Sequence, residues 1–424
     1  MEIHIPKYVD YIIRTLNERN YAAYAVGGAI RDSIMGYEPK DWDIATSATP
    51  EQVKKIFTAY PTGEKYGTVT VAYVDEQIGE EYLVEVTTFR YDQEYSDGRR
   101  PDKVVFGESI LDDLARRDFT INAIAWHPDL GFIDPYEGVR DCENKILRCV
   151  GNPHERFQED ALRILRAIRF TYKYNLDMDS LTHNQLCSDF DLVLTNVSKE
   201  RIHNELKQIL SYMTHTLTYK DAEIIKLLSK LFEIDLQTYG EAVDFIHNIC
   251  VGPSDYLLKI YMVYMYCMKS ISDAEIWMRT YKFSNKEIQT VINLFKINWL
   301  VHEDIHATPD VIARKIIHYY GYDLGKQYIS ASKYLKDVNQ TLLIGIDKEL
   351  DINKNFKIDF AMSNKNIMSE FNIAGENLGK LNQYLTDKII EHPGLNNYND
   401  LYSIIEIYIK DNIMGFRGFY ETDN

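Results

Sequence analysis

The sequence is poor in cysteine and has no long apolar run. Its cysteines are scattered and lack the paired spacing of metal-binding motifs: Cys142, Cys149, Cys187, Cys250 and Cys267. An odd number of dispersed thiols argues against a disulfide framework and predicts a reducing, cytoplasmic location. No segment is apolar for long enough to cross a bilayer, so we expect no membrane contact. The charged N-terminal segment is predicted to be an amphipathic helix and not a signal peptide.

Positive charge is also in short supply. The chain has 47 Lys and Arg against 64 Asp and Glu, for a formal net charge of −17. This balance argues against a protein that coats nucleic acid. The arginines are unevenly placed, however, because eleven of them lie between Arg90 and Arg169 and only a few follow. A locally positive cleft on an acidic body would concentrate phosphate groups.

The 424 residues exceed one ordinary core, and the pattern changes along them. Strands alternate with helices as far as about residue 150, and helical periodicity dominates afterwards, with a plausible boundary at Asn152 and Pro153. We therefore predict an α+β chain, in which a head with a small mixed β-sheet precedes a long all-helical remainder. The predicted strands are 21–26, 42–46, 68–74, 82–89, 119–126 and 131–138, and the first helices of the head are 29–35 and 50–57.

The segment from Gly27 to Thr46, GGAIRDSIMGYEPKDWDIAT, organises the head. Gly27 and Gly28 follow a predicted strand and allow a tight turn with close approach to a ligand. The helix after them would present backbone N–H groups to a phosphate, and Arg31 adds a guanidinium one turn later. A glycine pair alone is more often an ordinary turn.

Asp41 and Asp43 flank Trp42 on the next predicted strand. Residues two apart on a strand share a face, so both carboxylates would point the same way. Two adjacent like charges are unfavourable unless a cation lies between them, and the pair therefore predicts a divalent metal site. Glu85, on the strand 82–89, would be a third acidic group if the two strands are neighbours. The alternative is that Glu85 faces water at a sheet edge.

Arg116 and Arg117 precede Asp118 and another predicted strand. A pair of guanidinium groups at the entrance to that strand suits a triphosphate, whose oxygens accept bidentate hydrogen bonds. A solvated basic turn is the other interpretation. Between these motifs, the charged segment 91–103 is predicted to be a surface loop.

The segment ERFQEDALRILRAIRF is predicted to be one helix, residues 155–170. Asp160, Arg163, Arg166 and Arg169 recur on it every three residues, so Asp160 and Arg163 would be an adjacent acceptor and donor. Such a pair matches the pairing edges of cytosine and adenine and mismatches those of uracil and guanine. An ordinary ion pair on a solvated helix face is the alternative.

Five motifs in this order resemble one family. GGAIRD…DWDIAT, DGRRPD, RRDFTINA, EDALRILRAIRF and KERIHNEL are similar to the class II tRNA nucleotidyltransferases, the bacterial CCA-adding enzymes. These belong to the polymerase-β-like superfamily, which they share with bacterial poly(A) polymerases. The similarity extends over about residues 20–210, and a looser one covers the segment FAMSNKNIMSEFNIAGENLGKLNQYL.

The resemblance implies a nucleotidyltransferase head (1–150), a neck that selects the nucleobase (151–215), a body (216–350) and a tail (351–424), the last three forming an elongated helical region. Body and tail would hold the acceptor arm of a tRNA, with no DNA partner. CTP would be used twice and ATP once, without a template. The implied site residues are Asp41 and Asp43 for Mg²⁺, Gly28, Arg31, Arg117, Arg166 and Arg169 for the triphosphate, and Asp160 with Arg163 for the base.

Other functions stay open at this stage. A relative that adds only CC, only A, or a poly(A) tail would carry the same motifs. The segment from Phe89 to Phe106 is not truncated, which favours addition of the terminal A, and no long basic extension suggests a poly(A) polymerase. A non-catalytic RNA-binding module is a further alternative, against which Asp41 and Asp43 argue.

Overall fold

The computed structural model describes residues 3–93, 103–107, 109–214, 219–234, 252–267, 269–303, 306–335 and 338–414. The chain divides into two compact units. The first comprises Met1–Tyr256 and Trp277–Phe283, and the second comprises Leu257–Ile276 and Ser284–Asn424. No helix in the described part is long and apolar enough to cross a membrane.

In the described part of the chain, the strands all belong to the first unit. They are β1 (Ala23–Val26), β2 (Asp43–Thr46), β3 (Ala59–Gly63), β4 (Thr68–Asp75), β5 (Glu80–Thr88), β6 (Arg90–Gln93), β7 (Lys103–Phe106), β8 (Ala125–His127), β9 (Gly131–Ile133), β10 (Ile146–Leu147) and β11 (Asp177–Met178). Seven of them form one mixed sheet in the order β3-β4-β5-β2-β1-β8-β9, while β6 pairs with β7 and β10 with β11.

The register of the three central strands brings acidic and glycine positions together. Strand β1 runs antiparallel to β2, so that Val26 lies opposite Asp43. Strand β2 runs parallel to β5, so that Asp43 lies beside Glu85. Because Gly27 directly follows Val26, the glycine turn begins next to the Asp43–Glu85 pair. The faces of β5 alternate with the strand period of two, with Val84 and Val86 buried and Glu85 exposed.

Helices cover this sheet and continue beyond it. In the first unit they are α1 (Lys7–Glu18), α2 (Gly28–Ile34), α3 (Pro50–Ile56), α4 (Ile110–Ala115), α5 (Gly138–Glu143), α6 (Pro153–Glu159), α7 (Leu162–Tyr174), α8 (Ser180–Asp189), α9 (Asp191–Asn196), α10 (Lys199–Tyr212) and α11 (Tyr219–Leu231). Local sequence explains where several of these helices begin. Thr49 and Gln52 form a capping box before Pro50, and the Ser198 hydroxyl accepts from the backbone N–H of Arg201.

The chain from residue 256 onward is helical in its described part. The helices there are Tyr256–Tyr266, Ile271–Thr280, Asn285–Glu303, Pro309–Tyr320, Tyr322–Ser332, Gln340–Ile352, Asn364–Phe371, Gly375–Glu391 and Tyr398–Ile409. The second unit has an apolar core of its own near the C-terminus, which includes Met362, Leu381 and Leu401. The head core includes Val26, Phe89 and Leu114. The predicted α+β class is confirmed.

The helix predicted over 155–170 is wrong as a single element. The chain forms α6 and α7 instead, and Asp160 between them is extended, with φ −150° and ψ 102°. The Asp160 carboxylate accepts a hydrogen bond from the backbone N–H of Leu162 at 3.1 Å. A side chain that caps a helix in this way competes with continuation of the preceding helix. The apolar periodicity continues through the break and conceals it.

Further segments differ from the predictions. The expected strand 131–138 ends at Ile133, because the Asp134 carboxylate accepts from the backbone N–H groups of Gly138 and Val139 and closes a turn before α5. The expected strand 119–126 contains a 3₁₀ turn at Thr120–Asn122, and only Ala125–His127 pairs in the sheet. The expected surface loop 91–103 is bounded by the antiparallel strands β6 and β7. The central part of that loop, including the motif DGRRPD, lies outside the described residues. Strand β11 also lies beyond the boundary at Asn152 and Pro153, in the part of the chain that we expected to be all helical.

Candidate functional site

A cavity of about 540 Å³ lies in the first unit beside the ends of β1 and β2. Ten of the twelve predicted site residues line it, all except Asp41 and Arg169. Among the described residues, its charged lining consists of seven arginines and four carboxylic acids, namely Arg31, Arg90, Arg116, Arg117, Arg163, Arg166 and Arg201 with Asp43, Glu85, Asp118 and Asp160. The formal excess of positive charge suits an anionic ligand.

The acidic part of the cavity is formed by Asp43 and Glu85, neighbours on β2 and β5. Burial, together with the negative charges of Glu85 and Asp41, raises the pKa of Asp43 to about 6 against the opposing effect of Arg117. Asp41 is exposed and precedes β2, so it is not among the lining residues, although its charge acts on Asp43. Oxygen ligands clustered in this way suit a hard divalent cation.

The glycine turn lets an arginine approach the acidic pair. Gly27 has φ +73°, and a Cβ on it would lie 2.7 Å from Nη1 of Arg117. Any larger residue would therefore push this guanidinium away and strain the backbone. A Cβ on Gly28 would lie 3.5 Å from Nη2 of Arg31, an ordinary contact. Gly27 is thus the glycine that the site requires sterically.

Asp113 holds the two arginines that follow α4. Its Oδ1 accepts from Nη2 of Arg116 at 2.6 Å, and its Oδ2 accepts from Nη2 of Arg117 at 2.9 Å. Asp113 is 1% exposed. Burial by itself raises the pKa of the Asp113 carboxyl, but the charges and hydrogen bonds of Arg117 and Arg116 outweigh burial and lower the pKa to about 2. Both guanidinium groups are therefore oriented by one ionised carboxylate.

Asp118 positions Arg166 in the same way. Its Oδ2 accepts from Nε of Arg166 at 2.8 Å and from Nη2 at 2.6 Å. Its Oδ1 accepts from the side-chain amide of Asn122 at 2.9 Å. Burial opposes ionisation of Asp118, but Arg166 and Asn122 together hold its pKa well below the ordinary range. Arg166 is thereby fixed against the cavity wall.

Arg31 is held on all sides. It is buried, and it donates to Asp32, to the side-chain oxygen of Asn122 and to the hydroxyl of Tyr174, the last at 2.6 Å. Its guanidinium also lies over the Tyr174 ring at 4.6 Å. A cation–π contact of this kind stabilises a partly desolvated guanidinium. Arg31 therefore has a fixed position at the cavity and few remaining donors for a ligand.

The expected pairing of Asp160 with Arg163 is absent from the described contacts, although both residues line the cavity. Asp160 Oδ2 accepts from Nη2 of Arg201 at 2.7 Å, while its Oδ1 caps α7. Arg163 donates to the carboxylate of Glu159 and to the backbone carbonyl oxygen of Arg116, the latter at 3.0 Å. The break before α7 turns the Asp160 carboxylate toward α10 instead of toward the next helical turn.

Arg169 does not line the cavity. Its Nε donates to Glu205 on α10 at 2.6 Å, and its guanidinium lies over the Phe170 ring at 4.3 Å. Helix geometry explains the separation, because two steps of three residues turn the side-chain direction by about 120° between Arg163 and Arg169. A nucleotide contact by Arg169 stays a prediction.

The sequence interpretation missed several residues that position the site. Arg201 lies in the motif KERIHNEL, whose resemblance was recognised without a role for that arginine. Asp113 and Asp118 flank the arginine pair, and Asn122 links Asp118 to Arg31. A carboxylate three or four residues before an arginine pair is a usable sequence signal for Asp113. No comparable local signal links Asp160 with Arg201.

Comparison with known families identifies relatives of this chain. The family described as the poly(A) polymerase head domain matches residues 23–148. A CCA-adding enzyme of Ligilactobacillus salivarius is 34% identical over 312 residues, which are 66% of this chain and 76% of the relative. A CCA-adding enzyme of Enterococcus faecalis is 43% identical over 200 residues, or 47% of this chain and 48% of the relative. In the latter alignment, the chain spans about half the length of the curated relative.

Solved structures share the fold over nearly the whole chain. A Bacillus stearothermophilus CCA-adding enzyme in complex with CTP has a TM-score of 0.74 at 24% identity, covering 96% of this chain and 100% of that chain. A Thermotoga maritima CCA-adding enzyme complexed with tRNA has a TM-score of 0.64 at 18% identity, covering 96% of this chain and 97% of that one. At these identities the similarity demonstrates a common architecture.

Proposed function

This chain belongs to the CCA-adding enzyme family, and from that membership we propose that it adds the CCA sequence to the 3′ end of tRNA. CTP and ATP are the proposed substrates, and no nucleic-acid template is used. The observation that carries the proposal is the presence, in one cavity, of an acidic pair beside seven arginines. The first group suits a metal and the second a triphosphate. A passive RNA-binding module has no need of either arrangement.

The acidic pair fits the metal that this chemistry requires. Membership of a nucleotidyltransferase family indicates dependence on a divalent metal ion, for which we propose Mg²⁺. Asp41 and Asp43 would hold it, with Glu85 alongside. The raised pKa of Asp43 supports this assignment, since clustered carboxylates favour a cation between them. When bound, Mg²⁺ supplies charge stabilisation at the phosphate that is transferred and at the departing pyrophosphate.

The arginines bind and orient the triphosphate. Arg116 and Arg117, held by Asp113, and Arg166, held by Asp118, present guanidinium groups whose orientation is already set before the nucleotide arrives. Such preorganisation removes part of the entropy cost of aligning the α-phosphate with the tRNA 3′-hydroxyl. Gly27 and Gly28 allow the nucleotide to approach the backbone, and Arg31 lies next to Gly28 in the same cavity lining.

Asp160 and Arg163 read the base in this proposal. Cytosine and adenine both present an amino donor beside a ring-nitrogen acceptor, which a carboxylate and a guanidinium satisfy together. A carboxylate offers about four acceptor positions, so Asp160 retains capacity beyond its contacts with Leu162 and Arg201. Uracil and guanine would leave these groups unpaired, at a cost of about 1–3 kcal/mol for each buried group.

The remaining assignments follow from the family. We propose a catalytic head over 1–150 and a base-selecting neck over 151–215. The body, 216–350, and the tail, 351–424, would contact the acceptor arm of the tRNA through its backbone and shape. The proposed location is the cytoplasm, where tRNA ends are matured.

The direct test is nucleotide incorporation by the purified chain. The protein is incubated with Mg²⁺, labelled CTP or ATP, and tRNAs that lack all three, two or one of the terminal CCA nucleotides. We expect two additions of C followed by one of A. Addition of C alone, of A alone, or of a long A tract would instead assign the chain to the corresponding partial or poly(A)-adding relatives.

Variants separate catalysis from tRNA binding. Asp41→Ala and Asp43→Ala should abolish incorporation while the affinity for tRNA, measured by filter binding, stays within about twofold of wild type. Retained turnover in either variant would show that the metal assignment is wrong. If the wild-type protein extended none of the three tRNAs, the proposed function itself would be refuted.

A further inference from the structure

A second group of metal-ligating side chains lies in the first unit, outside the cavity described above. It consists of His183 and Cys187 on α8 and Glu223 on α11, and their ligand atoms all lie within 4.8 Å of one another. Nε2 of His183 is 4.0 Å from Sγ of Cys187 and 3.6 Å from Oε2 of Glu223. The cysteines alone show no metal-binding spacing, so this group emerges only when the two helices are placed together.

The separations are close to those of a tetrahedral zinc site. With Zn–S of about 2.3 Å and Zn–N and Zn–O of about 2.0 Å, tetrahedral angles place N and S about 3.6 Å apart and N and O about 3.3 Å apart. The observed values of 4.0 and 3.6 Å exceed these by a few tenths of an ångström. The third separation, between Sγ of Cys187 and the Glu223 carboxylate, is within 4.8 Å, so binding an ion requires the side chains to draw together.

Helix α8 presents two of the ligands from a well-fixed position. His183 and Cys187 are four residues apart and therefore share one helix face. Asp179 caps the start of α8 by accepting a hydrogen bond from the backbone N–H of Leu181. The Thr182 hydroxyl accepts from the backbone N–H of Cys149 and so ties the first turn of α8 to the head. His183 is 8% exposed. Cys187 is partly exposed. Two ligands held one turn apart on an anchored helix reduce the entropy cost of binding an ion.

The third ligand comes from solvent-facing surface. The Glu223 side chain is 53% exposed, which leaves it free to rotate by the small amount required and leaves an open side for water. Three protein ligands with water in the fourth position are the arrangement of catalytic zinc sites, whereas structural zinc usually has four protein ligands. The donor set of one nitrogen, one sulfur and one oxygen disfavours Mg²⁺ and Ca²⁺, which take oxygen ligands.

We propose that His183, Cys187 and Glu223 bind one Zn²⁺ ion, with water in the fourth position. The ion joins α8 to α11 and so stabilises this part of the first unit. The site is distinct from the acidic pair of the cavity, because the thiolate and imidazole select a softer metal than the oxygens of Asp43 and Glu85. Binding displaces the thiol proton of Cys187, since the metal takes the thiolate form.

The test is titration of the metal-free full-length protein with Co²⁺, followed by displacement with Zn²⁺. Tetrahedral cobalt bound to a thiolate has visible d–d bands and a sulfur-to-metal charge-transfer band. We expect one equivalent with these features, which Zn²⁺ removes. Cys187→Ser should eliminate the charge-transfer band, and Glu223→Gln should weaken Zn²⁺ binding at least about tenfold.

Matched controls define the site. Cys267→Ser, Glu233→Gln and Asp43→Asn should leave the cobalt spectrum and the zinc affinity unchanged. If Asp43→Asn lost the zinc-sensitive spectrum while Cys187→Ser kept it, the ion would be assigned to the cavity and the proposal would be overturned. A cobalt spectrum without the charge-transfer band would do the same, leaving only an ion pair between His183 and Glu223.

A measurement on the wild-type chain avoids any folding defect of the variants. Cysteine alkylation is followed residue by residue by mass spectrometry with and without Zn²⁺. Zinc should slow modification of Cys187 at least about tenfold while leaving Cys267 unaffected. Equal rates for Cys187 with and without zinc would contradict the proposed ligation.

Discussion

The Asp160 carboxylate accepts a hydrogen bond from Arg201 at 2.7 Å, across 41 positions of the sequence. The two side chains are each less than one-fifth exposed and both line the cavity. The break between α6 and α7 leaves Asp160 extended, and its second oxygen caps α7. Arg201 therefore determines the direction in which the proposed base-reading carboxylate points.

Replacing Arg201 by alanine should relax the choice of nucleotide. Without the guanidinium, the Asp160 carboxylate loses its anchor and rotates, so that it no longer accepts from the amino group of C or A in a fixed direction. We expect the preference for CTP and ATP over UTP and GTP, measured as a ratio of kcat/KM values, to fall about tenfold, equivalent to about 1.4 kcal/mol.

The matched control is Arg140→Ala, because Arg140 is an exposed arginine paired with Glu137 away from the cavity. It should leave nucleotide choice unchanged. If Arg201→Ala lowered turnover with all four nucleotides equally, Arg201 would act on general binding and not on base selection.

Asp43→Asn should stabilise the metal-free protein at pH 8. The pKa of Asp43 is raised to about 6 from 3.8, so ionised Asp43 costs stability above pH 6 and no longer does so below pH 4. A neutral amide of the same shape removes that cost, which we place at about 1–2 kcal/mol. The melting temperature should rise by a few degrees at pH 8 and by progressively less as the pH falls to 4.

Metal addition distinguishes this effect from general stabilisation. Mg²⁺ should raise the melting temperature of the wild type and leave that of Asp43→Asn unchanged. Asp41→Asn, at an exposed position, should abolish incorporation with less than about 0.5 kcal/mol of change in stability. A lower melting temperature for metal-free Asp43→Asn at pH 8 would contradict the inference that burial and the charge of Glu85 make ionised Asp43 destabilising.

Asp113→Asn should weaken binding of both nucleotides without changing the choice between them. Arg116 and Arg117 lose their shared anchor, and removing one member of a buried ion pair costs about 3 kcal/mol of stability. We expect KM for CTP and ATP to rise about tenfold. Because the pKa of Asp113 lies near 2 in the folded chain and near 3.8 unfolded, its stabilisation exists above pH 3.8 and is lost as the pH falls toward 2.

Asp141→Asn is the matched control for Asp113→Asn. Asp141 is also a buried carboxylate that pairs with an arginine, Arg148, but neither residue lines the cavity. This variant should lose comparable stability while KM for both nucleotides stays unchanged. Equal KM increases in the two variants would mean that Asp113 acts only through the stability of the head.

Gly27→Ala should raise KM for both nucleotides, whereas Gly36→Ala should not. Both glycines have positive φ, +73° and +77°, so each substitution strains the backbone by about 1 kcal/mol. Only at Gly27 does the new methyl group meet a side chain, at 2.7 Å from Arg117, while at Gly36 nothing lies within 4 Å. Steady-state kinetics and thermal unfolding of both variants check this. Identical KM values would show that Gly27 is required for the turn alone.

Local sequence accounts for much of the head. The alternation of buried and exposed residues on β5 follows directly from a period of two, and the Thr49–Gln52 capping box explains the start of α3. Helical periodicity, in contrast, failed at Asp160, because the apolar spacing continues across the break between α6 and α7. The contact at the start of α7, from the backbone N–H of Leu162 to the Asp160 carboxylate, involves one polar side chain and is not visible in a pattern of hydrophobic positions.

By itself, the sequence determined the α+β class, the glycine turn and ten of the residues that line the cavity. Only the tertiary structure decided which partner each charged group takes. Asp43 meets Glu85 because β2 and β5 are parallel neighbours, and Asp160 meets Arg201 because α10 packs beside α7. Several carboxylates compete for several arginines, and the outcome depends on distance in the folded chain. Once a helix breaks or a strand crosses over, the separation of two residues in the sequence no longer predicts the distance between their side chains.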